Sequence, residues 1–429
     1  MARRSLLVIL LFFCIQWAHS EETPSPAIAG YVTGIASDTS FDVNGTHILC
    51  DGNTRFNTSA DGRKQFTSTP QAPYLGEPLD VYGPADRKTY TIRATEITRY
   101  SSQPYTLSGT AIIDGLPDTS EKASPDERLF RADGYRILVT AKTQTTFNPP
   151  LTSLSGVGTN VWLKYTGKQR PDGTLIAETA VFTANAVPKG EDRLRTRSEY
   201  DTKAVDPDSK QGKVNKYFFG LNPKKIPPYE NAAMQARVDR IGVSLIPAYQ
   251  RNLPAADATK IDFRFQLIDQ PKWHDALTLP NGIILVPRQV VERLQNDSQL
   301  ATVLADNIAC ALEKQSFRGQ PAAQEMTAAQ LASDVGGIFV SGLGLATGIV
   351  NNRVAASIYR HAVEQSGRVS LTLLRDAGYD IDEAPKAWWL LAPKKPKDMA
   401  ETPLPERAAY LYATLGQTWR VTSSESPMQ

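Results

Sequence analysis

Histidine is scarce in this chain, with four in 429 residues. They are His19, His47, His274 and His361, and no two stand four residues apart. A helix that holds zinc with two imidazoles on one face needs that spacing, so a conventional His-x-x-x-His metal site is excluded. Cysteine is scarcer still, at three: Cys14, Cys50 and Cys310. Charge of one sign is also missing. Lys+Arg number 47 and Asp+Glu 45, a net +2, which gives no reason to expect nucleic acid or an acidic substrate as partner. A Gly-rich phosphate loop, a G-x-S-x-G elbow and a Cys-His nucleophile arrangement are all absent. Two apolar stretches, Leu6 to Ile15 and Val335 to Val350, fall short of the roughly 20 residues that cross a bilayer.

The length is enough for two or three domains. The first twenty residues read as a signal peptide. Arg3 and Arg4 form its positive start, the Leu6–Ile15 run its apolar middle, and Ala18, His19 and Ser20 a small-x-small cleavage site that leaves Glu21 first. An uncleaved anchor is the alternative. Cys14 follows Phe12 and Phe13 inside the apolar run, unlike a lipoprotein cysteine. The expected location is periplasmic or extracellular, with membrane association possible through Val335–Val350. Export permits disulfides, but Cys50 and Cys310 lie in distant regions and are expected as two free, buried thiols. The sequons at Asn44, Asn57 and Asn296 matter only in a eukaryotic secretory host.

Residues 27–185 are rich in Thr, Val, Ile and Tyr, with turn residues at short intervals, and read as all-β. They carry an internal repeat. The second half of "GYVTGIASDTSFDVNGTHILCDGNTRFN" returns as "YRILVTAKTQTTFN" at Tyr135, and "YLGEPLDVYGPADRKTYTIRATEIT" is echoed by "GVGTNVWLKYTGKQRPDGTLIAETAVF". Cys50 aligns with Val139, which argues for a packed strand thiol and against a reactive one. His47 aligns with Arg136, a surface strand position. "VNGT" and "PDGT" predict hairpins. The expectation is two small barrel-like modules, residues 27–100 and 101–185, resembling the OB-like exported domains of bacteria. Residues 186–230 are charged and without period, and read as a linker.

From residue 231 the pattern turns helical. Met234, Val238, Ile241 and Leu245 make one apolar helix face. Ile261, Phe263, Phe265 and Leu267 alternate as a strand. Pro280, Asn281 and Gly282 turn a hairpin into a strand from Ile283 to Val286, and Pro287 opens a short helix. A second helix, "LATVLADNIACALEKQ" from Leu300 to Gln315, is expected to be capped by Asp297 or Ser298. Gly378 ends a later helix, and Asp380 and Asp382 are expected to cap the next one. Trp388 and Trp389 on that Leu-rich helix are expected in the core. Val335–Val350, with Gly344 and Gly348 in G-x-x-x-G spacing, reads first as a tightly packed helix and second as a membrane-apposed segment.

The order of these elements resembles the zinc metallopeptidase family of the CAAX prenyl proteases, the HtpX, BepA and Oma type. Asp275–Gly282 corresponds to its N-A-F-x-L-P-G-G segment, and Gln299–Ala305 to the lead-in of its H-E-x-x-H helix. "LLRDAGYDIDEAPKAWWLL" corresponds to its A-G-Y-D-P segment, and "ETPLPERAAYL" to its terminal T-H-P-x-x-E-R. The likeness spans residues 231–420. It implies a multidomain chain in which all-β modules, small OB-like barrels, precede an α+β, mainly helical, gluzincin-like domain.

The resemblance also implies which chemistry is lost. The first His position carries Asp306, the base position Asn307 and the second His position Cys310. The family's E-A-D-R falls on Gln365, Ser366, Gly367 and Arg368, so the third-ligand Glu is Gln365. Pro403 replaces the terminal His. An amide such as Asn307 has no basic lone pair to take a proton from water near neutral pH. The expectation is therefore no catalytic residue, no metal and no cofactor, with Asp306, Asn307 and Cys310 filling the old site and Arg368 as partner for the buried Asp306. The competing expectation is a new metal site of Asp306 and Cys310 with His361 or Glu364, and zinc as cofactor. Three functions follow: non-catalytic, chaperone-like binding of a protein or peptide in the cell envelope, a divergent active metalloendopeptidase, or glycan or peptide binding through the β modules.

Overall fold

The computed structural model describes residues 26–60, 63–67, 73, 75–86, 88–99, 106–117, 127–170, 172–198, 200, 226–271, 273–318, 353–392 and 405–416. Residues 1–20, read above as a signal peptide, most of 186–230, Val335–Val350 and Pro403 lie outside these residues.

The first module holds β1 (Ile28–Ser37), β2 (Ser40–Val43), β3 (Thr46–Leu49), β4 (Arg55–Ala60), β5 (Arg63–Thr67), β6 (Pro78–Tyr82), β7 (Ala85–Asp86), β8 (Thr91–Arg93) and β9 (Glu96–Arg99). The second holds β10 (Thr106–Gly115), β11 (Arg128–Ala132), β12 (Tyr135–Val139), β13 (Gln144–Phe147), β14 (Val161–Gln169) and β15 (Leu175–Ala184). In the second, the order β12-β11-β10-β14-β15 is closed by parallel pairing of β12 with β15, which makes a five-stranded barrel. Closure removes the sheet edges of these strands.

The pairing scheme of the first module repeats that of the second. β1 pairs β2 and β6 as β10 pairs β11 and β14. β3 pairs β8 in parallel as β12 pairs β15, and β4 pairs β9 in parallel as β13 pairs β15. One long strand, β15, thus corresponds to two short ones, β8 and β9, separated by Ala94 and Thr95. Smaller details repeat as well. The Thr54 hydroxyl donates to the Ala94 carbonyl at 2.8 Å, and that of Thr143 to Ala177 at 2.7 Å. Asn44-Gly45 and Asp133-Gly134 both turn at positive φ, 47° and 76° against 56° and 72°, as two-residue hairpins require. Each module buries its own core, around Phe41, Ile48 and Val81 in the first and Phe130, Leu163 and Phe182 in the second.

The stretch read as a linker starts with a packed helix, α1 (Lys189–Arg197). Its Glu191 and Leu194 are buried, because Glu191 meets a lysine of the C-terminal region, so this part is no solvated connector. The C-terminal region contains α2 (Ala232–Leu245), α3 (Ala248–Arg251), β16 (Arg264–Ile268), β17 (Leu277–Thr278), β18 (Ile283–Pro287), α4 (Arg288–Arg293), α5 (Asp297–Leu312), α6 (Gln315–Arg318), α7 (Arg353–Asp376), α8 (Ala384–Leu391) and α9 (Glu406–Thr414). β18 lies between β16, parallel, and β17, antiparallel. Gly282, at φ +92°, makes the turn that brings β17 against β18.

Helix α5 runs through the centre of this region, and every residue from Gln299 to Leu312 is buried. Alanine at 301, 305, 309 and 311 lets neighbouring elements approach closely. Its N-cap is Asn296, whose side chain accepts from the Gln299 amide at 2.9 Å. Asp297 sits in the first turn and pairs with Arg237 and Arg240, so the cap lies one residue before the expected pair. Asp380 does cap the turn after Gly378, accepting from the Asp382 amide at 2.9 Å. Trp388 is buried as expected, but Trp389 is 58% exposed. Successive residues of a helix point about 100° apart, so only one of such a pair faces the core. No described helix is long and apolar enough to cross a membrane.

Candidate functional site

Helix α5 places Asp306, Asn307 and Cys310 on its central turns, all buried. Asp306 is fully enclosed and accepts from the Ser366 hydroxyl of α7 at 2.9 Å. Its other oxygen receives the Arg407 guanidinium of α9, and the Cys310 thiol lies 3.9 Å from that oxygen. Arg407 is itself held from a second side, donating to Asp275 at 2.8 Å. Its guanidinium stacks 3.4 Å from the centre of the Trp388 ring.

Two buried carboxylates therefore share one guanidinium. Burial pushes the Asp275 carboxyl up to about 6, with the nearby Asp306 acting in the same direction and Arg407 opposing. Asn307 is satisfied separately. Its amide donates to the Val303 carbonyl at 2.9 Å, and its side-chain oxygen accepts from the Thr278 hydroxyl at 2.7 Å.

Several expected partners are elsewhere. Arg368 does not reach Asp306. It donates to Asp133 of the second module at 2.5 Å and to the Tyr410 hydroxyl at 2.6 Å, and lies over the Tyr135 ring. Asp133 is buried at the hairpin turn, and its side chain and carbonyl both receive the arginine that α7 turns toward the barrel. Gln365 likewise faces the barrel, donating to the Thr110 carbonyl at 3.0 Å. The residue that faces α5 is its neighbour Ser366. Glu364 accepts from the Tyr31 hydroxyl of the first module and stands 3.6 Å from His361. His361 is largely exposed.

Asp306 and Cys310 therefore do not meet His361 or Glu364. Among the described residues, no three His, Cys, Asp or Glu side chains are grouped to hold a metal ion. The residues present do not fit the zinc of the resembling peptidases. The third-ligand position points away, the base position is a bonded amide, and a guanidinium already lies against the Asp306 carboxylate, where it would repel a dication.

The modules meet the helices through further buried polar contacts. Both Glu313 oxygens lie 3.3 Å from the Ile112 amide, and burial raises that carboxyl well above its usual range. Lys314 pairs with Glu191 of α1 at 2.8 Å. Arg131 bridges Asp114 and Asp376. Tyr31 packs against Tyr410 with ring centres 5.1 Å apart. Neither Cys50 nor Cys310 is in a disulfide, but Cys50 is only half-buried, because it follows β3 at the rim of the first core. Burial still pushes its thiol to about 11, which keeps it protonated. His47 is partly exposed and bonded to Asp42. Asn44 and Asn57 are buried, so neither sequon is presented to solvent in this fold.

Sequence reasoning missed Arg407 and Ser366. Arg407 stands in the "LPERAAYL" stretch, which was legible as a landmark but not as a charge donor. Ser366 carries no chemical signal at all. Searches against protein-family models and against curated proteins find no match to this chain.

Proposed function

We propose that this is an exported, non-catalytic binding protein, in which tandem OB-like modules are docked on a gluzincin-like domain related to the CAAX-protease type of zinc peptidase. The observation that carries this reading is the Arg407–Asp306 pair. A carboxylate already paired with a buried guanidinium stands where a zinc peptidase needs a metal ligand, and a bonded amide stands where it needs a base. Asn307 cannot accept the proton of an attacking water, and the Asp306 carboxylate is enclosed by Ser366, Cys310 and Arg407. With hydrolysis removed, what the resemblance leaves is recognition of a polypeptide. A protein or peptide of the cell envelope is the partner that fits this reading.

The test is the metal content of the purified mature chain by mass spectrometry, beside a Cys310→Ala variant, with a peptide-hydrolysis assay on the same samples. Near-zero zinc, folding unchanged in chelator and no cleavage support the reading. About one zinc per chain, lost in the variant and accompanied by cleavage, would replace it with a divergent metalloendopeptidase.

A further inference from the structure

We infer that Arg407 is the internal cation of this domain: its guanidinium takes the place of a bound metal ion and ties helix α9 to helix α5 and to the start of β17. The inference rests on the non-catalytic reading above and explains how the fold stands without a metal.

The argument begins with charge. Asp306 has no exposed surface and Asp275 almost none. A buried carboxylate needs a paired cation, a metal or a proton. Two of them, from different elements, converge on one side chain: Asp275 just before β17 and Asp306 in the middle of α5. In a metal-dependent fold, one dication neutralises such a pair and links the elements that carry the ligands. Here the fork of a single guanidinium does both, with one terminal nitrogen for each acid. Arginine suits this task because its planar donors serve two carboxylates at once and its charge is never lost.

The remaining contacts point the same way. Trp388 of α8 covers the guanidinium face at 3.4 Å, a position that favours a cation over a neutral group. Ser366 of α7 donates to the Asp306 oxygen that Arg407 does not use. Four helices and one strand lead-in thus meet around one positive charge. Arg407 lies in the first turn of α9, where the helix dipole disfavours a cation. A local preference is overridden there, and the pair of carboxylates is the local compensation.

The test uses the full mature chain in three forms: wild type, Arg407→Met, and Arg407→Met combined with Asp275→Asn and Asp306→Asn. Methionine keeps much of the volume over Trp388 and removes the charge. Thermal midpoints are read by circular dichroism, with and without added zinc chloride or chelator, and bound zinc is counted. The expected result is a midpoint lowered by roughly 10 °C or more in the single variant, no recovery with zinc, and recovery of at least half the loss in the triple variant. Should the single variant not fold, the triple variant is still expected to fold. A single variant within about 2 °C of wild type overturns the inference, as does a triple variant that melts no higher than the single one or does not fold. Zinc at about one per chain in the wild type overturns the non-catalytic reading instead, whatever the melting series gives.

Discussion

Arg368 of α7 and Asp133 of the second module's barrel are bonded twice, side chain to side chain at 2.5 Å and Arg368 Nε to the Asp133 carbonyl at 3.0 Å. The barrel and the helices therefore share one buried ion pair, to which Tyr165 and Tyr410 each add a hydrogen bond. Removing one partner of such a pair leaves a buried charge unmatched. Arg368→Met is expected to destabilise the chain by about 3 kcal/mol. It should also speed amide exchange along β11 and β12, read by hydrogen-exchange mass spectrometry. Unchanged exchange there would mean that the barrel is held by other contacts.

Gly134 makes that pairing possible. Its φ is +72°, and a Cβ added there would lie 2.5 Å from the Arg368 Cβ and 2.7 Å from its backbone. Gly134→Ala combines a strained backbone with a clash that no side-chain rotation relieves. A loss of about 2–3 kcal/mol is expected from urea unfolding. Gly156→Ala, where nothing lies within reach of the new methyl, serves as the control and should change little.

Asp275 gives the site a pH dependence with a definite sign. Its carboxyl is raised to about 6 in the fold, against about 3.9 in an unfolded chain. The folded state therefore holds this proton more tightly. The stability contributed is full below the unfolded value and is lost as pH rises through the folded one, between roughly pH 4 and 6, by about 2–3 kcal/mol. Asp275→Asn should flatten the change in unfolding free energy between pH 4 and pH 7. An identical slope in variant and wild type would show that other acids carry it.

Installing the H-E-x-x-H letters of the resembling peptidases on helix α5 is expected to give no zinc site. Asp306→His, Asn307→Glu and Cys310→His together recreate the helix motif, but Ser366 still faces it and Arg407 still occupies it. The combined variant should show neither stoichiometric zinc by mass spectrometry nor cleavage of an unfolded protein substrate. It should also be less stable than wild type, since Arg407 then loses one of its two carboxylates. Zinc uptake with hydrolysis would show that the surrounding structure can support catalysis and would count against the non-catalytic reading.

Much of this was legible along the chain. The repeat between Gly30 and Phe182 marks equivalent strands because each module needs the same alternation and the same turns to close its own core. The apolar run around Leu300 identifies a buried helix for the same reason. The partner of Asp306 was not legible. Arg368 and Arg407 are equally charged, both stand near helix α5 in the resemblance, and spacing alone does not rank them.

Residue type and local periodicity along the chain were enough for the strands, the hairpin turns at Asn44-Gly45 and Asp172-Gly173, the central helix and the absence of any paired imidazoles. Tertiary structure alone decided that Ser366, not Gln365, faces Asp306, that Arg368 serves the barrel, and that Arg407 serves the two carboxylates. A one-residue change along a helix turns a side chain by about 100°, and which buried charge meets which is set by packing between elements distant in the chain.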